Sequence, residues 1–149
     1  MIDAFNRVSL LQAVATTAVS TDSINTGLPN RALGVGKPLF LTATVGATVT
    51  AAGAATVTFE IISADDAALT TNVTVHAASP AIGKATLVAG YKQPVMVAPN
   101  GGGFLFRRYV GMRYTVANGP LTAGTFTTFI EADVAAYTQY ADSIVAVTN

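Results

Sequence analysis

The sequence predicts an all-β domain: an antiparallel β-sandwich or jelly roll with an extended N-terminal arm. Three observations point there. Short runs of alternating apolar and polar residues recur along the chain, each bounded by Gly, Pro, Asn or Asp clusters. No stretch carries the spacing of a long amphipathic helix. Residues 104–133, FLFRRYVGMRYTVANGPLTAGTFTTFIEAD, read as strand, loop and strand. The length of 149 residues fits one domain with one core. Within it, residues 1–36 form the arm and a loop, part of the same domain or packed on a neighbour, and residues 37–149 form the sandwich.

In the arm, Leu10, Leu11, Val14 and Ala18 fit a short helical face, but Thr16, Thr17 and Val19 favour an extended chain. A turn cluster at residues 20–23 and the breakers Gly27, Pro29, Asn30, Gly34 and Gly36 follow. Leu39, Leu41, Ala43 and Val45 then alternate with Phe40, Thr42 and Thr44 as the first sheet strand, and residues 47–55 read as a loose end or loop. Val57, Phe59 and Ile61 face inward on the next strand, with Thr58 and Glu60 outward; Asp65 and Asp66 turn the chain. Further strands are expected at residues 69–76, 85–89 and 94–98. The Pro-Asn-Gly-Gly-Gly run at 99–103 breaks the chain before the central pair of strands.

In that pair, Phe104, Phe106, Val110, Met112, Tyr114 and Val116 share one face, and Arg107, Tyr109, Gly111, Arg113 and Thr115 share the other. Arg108 falls on the apolar side, where burial would demand a carboxylate partner. The return strand sets Phe126, Ile130 and Ala132 against Thr127, Phe129 and Glu131. Asn118-Gly119-Pro120 lies between, since Gly admits positive φ and Pro cannot donate to a ladder. The expected result is a long β-hairpin in which Arg113 reaches Glu131. The tail from residue 137 onward allows a last strand or a free end.

Composition narrows the function. Apolar residues make up 51% and charged residues 11%, against ~25% charged in ordinary soluble domains. A surface so poor in charge is either covered by a partner or made polar by Thr, Ser and Asn. Eight basic residues balance eight acidic ones, which argues against direct nucleic-acid binding and against adsorption to anionic membrane. No apolar run approaches the ~20 residues of a membrane-spanning helix. Residues 8–19 are too interrupted by polar residues, and too short of basic residues ahead of them, to read as a signal peptide. There is no cysteine, hence no disulfide framework.

Catalytic patterns are weak. His76 is the sole histidine and lacks Cys or His partners for zinc; no G-x-S-x-G accompanies it, so a structural role is the simpler reading. Gly34-Val35-Gly36-Lys37 fails the phosphate-loop pattern at Arg31 and Pro38. Asp65-Asp66 reads as a solvated turn before a calcium site, and Glu131 with Asp133 lacks the aromatic company of a glycosidase. No enzyme, cofactor or metal is expected. Arg107, Arg108 and Arg113 concentrate three of the eight basic residues in one strand. They serve either cross-strand pairing or recognition of carboxylates on a partner.

The Ser20-Thr21-Asp22-Ser23-Ile24 arm end, Gly36-Lys37-Pro38-Leu39-Phe40-Leu41, the Arg107-Arg108-Tyr109-Val110 strand start and the Leu121-Thr122-Ala123-Gly124-Thr125 return together carry a family likeness. The chain resembles the small capsid cement, or decoration, proteins of tailed bacteriophages, the type found in Bordetella phage. The resemblance implies a jelly-roll fold, a homo-oligomer such as a dimer, and a place on the outer surface of the virion capsid. There the protein would bind the major capsid protein shell and brace it against packaged DNA. Candidate interface residues are Arg107, Arg108, Tyr109, Arg113 and Glu131, with Leu10 and Leu11 in the arm. Removal of residues 1–22 is expected to weaken attachment and leave the sandwich folded. The alternative is a carbohydrate-binding β-sandwich of a phage tail or surface protein, using Tyr91, Tyr109, Tyr137 and Tyr140 as a platform; the absence of Trp weighs against it.

Overall fold

The computed structural model describes residues 6–27, 38–98 and 105–131. Ten strands occur among them: β1 (Arg7–Ala13), β2 (Ala18–Val19), β3 (Ile24–Asn25), β4 (Leu39–Ala51), β5 (Thr56–Ala64), β6 (Thr74–Ala78), β7 (Ile82–Gly83), β8 (Lys92–Ala98), β9 (Tyr109–Ala117) and β10 (Leu121–Glu131). Every ladder is antiparallel. One sheet runs β1-β10-β4-β8. The other runs β2-β9-β5-β6, with β3 sharing the β2 edge and β7 sharing the β6 edge. Successive strands alternate between the sheets except within β2–β3 and within β5–β7, and the result is the two-sheet order of a jelly roll.

Period-2 alternation places the core. Leu41, Ala43 and Val45 of β4 and Phe126 and Ile130 of β10 face Val57, Phe59 and Ile61 of β5 and Val110, Met112 and Tyr114 of β9. At the centre, Phe59 meets Tyr114 and Phe126 edge-on, with centroids 6.0 and 5.4 Å apart, and Tyr114 stacks on Phe126 at 5.2 Å. A polar staple crosses beside this trio. The Tyr114 hydroxyl donates to Ser9 Oγ at 2.8 Å and lies 3.0 Å from Thr128 Oγ1; Ser9 donates in turn to Gln12 Oε1 at 2.7 Å. Full burial of Ser9, Thr128 and Tyr114 would be costly without these partners. Burial pushes the Tyr114 phenol up from its ordinary pKa, against the pull of its two hydroxyl partners.

Several expectations are corrected. The strands flanking Asn118 and Gly119 do not form a hairpin: β9 pairs with β5 and β2, while β10 crosses to the other sheet and pairs with β4 and β1. Alternation in two consecutive strands is the same whether they share a sheet or face each other across a core. Arg113 therefore meets Glu60 on β5, opposite it in the ladder, and not Glu131. Arg108 is exposed, because the chain bends there before β9 begins. Residues 69–73 are not strand. Leu69 sits in a turn at φ 57° and packs onto Ile62 and Ala64, so β6 starts at Thr74. Residues 85–89 are turn and coil, and β4 runs on through residues expected to be loop.

The N-terminal segment is woven into both sheets. β1 is an edge strand on β10, β2 and β3 pair with β9, and Val8 and Val14 lie in the core. A sandwich that stays intact without residues 1–22 is thus not what the packing supports. Phe104, Asp133, the glycine runs at 34–36 and 101–103, and the tail with Tyr137 and Tyr140 lie outside the described residues.

Candidate functional site

The two sheets turn very different outer faces to solvent. On the four-stranded sheet the outward residues are Phe40, Thr42 and Thr44 of β4, Thr125, Thr127, Phe129 and Glu131 of β10, and Lys92 and Val97 of β8. Val95 and Val97 are exposed, and Phe40 and Phe129 are half-buried. A groove of about 320 Å³ runs between Thr42, Thr44, Pro94, Val95, Phe129 and Glu131. It exists because the β4–β8 ladder slips register between Leu41 and Ala43, so Pro94 and Val95 bulge outward. Lys92, Glu131 and Arg7 are the charges of this face among the described residues. Partial burial raises the Glu131 carboxyl above its ordinary pKa.

Leu10 and Leu11 border the same face. The β1–β10 ladder also slips, between Ser9 and Gln12, and the extra residue throws both leucines outward. They are 54% and 58% exposed. Leu11 adopts φ 45°, which is unfavourable for a residue with a Cβ. Its amide donates to Thr127 Oγ1 at 3.1 Å. Its side chain lies over Gly46, in the space a Cβ there would fill, so the glycine makes the seat for Leu11. The chain accepts backbone strain to hold an apolar side chain in water.

On the six-stranded sheet the outer face is satisfied from within. Glu60 accepts from Arg113 Nε and from the Thr115 hydroxyl. Burial opposes the charge on Glu60, but these hydrogen bonds and the Arg113 cation outweigh it and hold its pKa below the usual value. Residues 65–73 fold over the same face, with Leu69 covering Ile62, Ala64 and Gly111. At that end the Arg107 guanidinium binds Asp65 at 3.0 Å and Thr74 Oγ1 at 3.1 Å. Asp65 is held low by hydrogen bonds from Asn72 first and Arg107 second. Arg108 lies over the Tyr109 ring at 5.4 Å, a cation–π distance.

The expected interface set is therefore divided. Leu10, Leu11 and Glu131 gather on the four-stranded side; Arg107, Arg108, Tyr109 and Arg113 lie on the six-stranded side. Two of the three arginines are already paired within the chain. Of the proposed tyrosine platform, the two described members lie apart: Tyr109 sits on the six-stranded sheet, and Tyr91 packs beside the core near β8. Sequence reasoning missed the groove and the seat for Leu11, because both arise from register slips that leave no mark in alternation.

Ser63 and His76 form a close pair, with Oγ 2.7 Å from Nε2. Ser63 is fully buried and accepts the Arg107 amide at 3.0 Å, so its oxygen ties strands together and presents no nucleophile to solvent. Among the described residues no group of three or more His, Cys, Asp or Glu side chains could hold a metal ion. No helix there is long and apolar enough to cross a membrane.

The family model Bbp16, named like a Bordetella phage protein, matches residues 8–130. That span begins in β1 and ends in β10, and so takes in both sheets. No curated protein matches the chain.

Proposed function

The chain belongs to the Bbp16 family, and on that premise we propose that it is a phage structural protein, a capsid cement protein that binds the outside of the major capsid protein shell. The observation that carries this reading is the outer face of the four-stranded sheet. It is broad and threonine-rich, with Lys92, Glu131 and Arg7 as its charges among the described residues, and it is bordered by two leucines held outward at the cost of backbone strain. Such a face loses little on desolvation and gains from apolar burial when a partner covers it. The six-stranded face, where Arg113 and Arg107 are paired with Glu60 and Asp65, is left toward solvent.

The mechanism is mechanical. A two-sheet sandwich resists shear, and many copies on a repeating lattice convert modest contacts into firm attachment, because each bound neighbour raises the effective concentration of the next. Binding the assembled shell and not its free subunits shifts the equilibrium toward the shell. Cosedimentation of the purified protein with mature and immature shells of its own phage tests this. Saturable binding to the mature shell, with a raised shell melting temperature, is expected. Absence of binding to either shell would remove the reading.

A further inference from the structure

Among the described residues, the corner around His76 is where a histidine is built into the packing. His76 of β6 stacks on Phe106, with centroids 4.0 Å apart and planes 30° from parallel. Phe106 is fully buried in the core. Behind the stack, Ser63 Oγ of β5 touches both His76 Nε2 and the Arg107 amide. The Arg107 side chain spans to Thr74 of β6 and to Asp65 beyond β5. One residue on, the Arg108 carbonyl accepts from the Thr26 amide at 2.8 Å and hydroxyl at 2.9 Å. The short segment 105–108, which leads into β9, is thus fastened at successive residues to β5, β6 and the loop after β3.

The direction of the Ser63–His76 contact depends on the ring tautomer, and a neutral ring with a bare Nε2 is the form that takes up the Ser63 proton. Ser63 Oγ accepts the Arg107 N–H, and its own proton has His76 Nε2 as its acceptor among the described residues. In that direction Nε2 carries the lone pair. Protonation turns Nε2 into a donor, strands the proton of a fully buried serine, and places a second cation facing Arg107. The charged groups around the ring are Arg107, on the segment itself, and Asp65, which faces Arg107 from the turn after β5. His76 is half-buried, so protons reach it from solvent.

We propose that this corner is an acid-sensitive latch: protonation of His76 releases segment 105–108 from β5 and β6 while the two sheets stay paired. Burial and the nearby Arg107 cation both lower the His76 pKa, in accord with a ring kept neutral in the latched form. The latch is independent of the shell-binding reading, and stands or falls on the free protein.

The chain has one histidine, so its ring signals in a proton NMR spectrum need no assignment by mutation. The experiment is a pH titration of the full-length protein from 8 to roughly 4.5, following the His76 ring and the Arg107 amide together. The latch predicts a ring midpoint below that of a free imidazole, an Arg107 amide shift with the same midpoint, and faster exchange of that amide below it. Core amides of β4 and β10 stay protected through the same range. A ring midpoint at or above the free value, or an Arg107 amide blind to the ring, overturns the proposal. His76→Gln keeps an acceptor for Ser63 and cannot protonate; in this variant the Arg107 amide should lose its dependence on pH. If that dependence persists with the same midpoint, His76 is not the latch.

Discussion

Tyr114 shows how much a single side chain does in this sandwich. Its ring fills the aromatic centre, and its hydroxyl joins β9 to β1 and β10 through Ser9 and Thr128. Tyr114→Phe keeps the ring but leaves two buried hydroxyls short of a partner, so a loss of about 1–2 kcal/mol is expected. Equilibrium unfolding in denaturant would show it as a lower midpoint with an unchanged slope. The inward place of Tyr114 was legible from alternation; the inward turn of Ser9 and Thr128 was not, because polar residues announce an outer face unless a partner across the core is known. Gly111 is a second such residue. Leu69 and Ser20 Oγ occupy the room a Cβ would need, so Gly111→Ala should cost about 1–3 kcal/mol by overpacking. A thermal melt that leaves this variant equal to the parent would contradict the packing described for Leu69.

Among the elements, the connection from β9 to β10 carries the main lesson. Both strands were legible, with their inward residues, but their partnership was not. Phe126 and Tyr114 suit a hairpin pattern and a cross-sandwich stack equally well, and only the sheet order separates the two. The ion pairs follow the sheet order. A double-mutant cycle on Arg113 and Glu60 should return a coupling of about 1 kcal/mol, as for a partly exposed pair. The same cycle on Arg113 and Glu131 should return none, since these residues lie on opposite outer faces. β1 gives a further prediction. Because it contributes Val8 and Ser9 to the interior, deletion of residues 1–13 should abolish cooperative unfolding, seen as loss of a sharp calorimetric transition. A truncated chain that still melts sharply would restore the view of this segment as a detachable arm.

For the whole molecule, the few charges make its pH response readable. Glu60, Asp65 and Asp66 have pKa values below their ordinary ones, so the folded state binds their protons less readily than the unfolded state. The stability they contribute is complete above the ordinary carboxylate range and is lost as pH falls through their lowered values. His76 has the same sign at higher pH, its contribution fading from roughly pH 6.5 downward. Glu131 acts oppositely: its raised pKa favours folding as pH falls through that value. Among the described residues, three lowered carboxylates and one lowered imidazole against one raised carboxylate predict a melting temperature lower at pH 3.5 than at pH 7. The contrast between the two outer faces also belongs to this scale. From composition alone, low charge left two readings, a surface covered by a partner or one made polar by Thr, Ser and Asn. The face proposed for attachment is defined by the sheet order and by the slips in β1 and β8, which only the structure gives.

The proposed attachment through the four-stranded sheet has a direct test in a matched pair of substitutions. Thr42 and Thr58 are both half-buried threonines on inner strands, facing outward from the four-stranded and six-stranded sheets respectively. Thr42→Lys and Thr58→Lys thus place the same charge on opposite faces of one molecule. Binding of each to mature shells is measured by cosedimentation, after circular dichroism melts establish that both are folded. Loss of binding by Thr42→Lys, with binding by Thr58→Lys near that of the parent, is the predicted result. Full binding by Thr42→Lys, with loss in Thr58→Lys, would contradict the assignment and turn the molecule over on the shell.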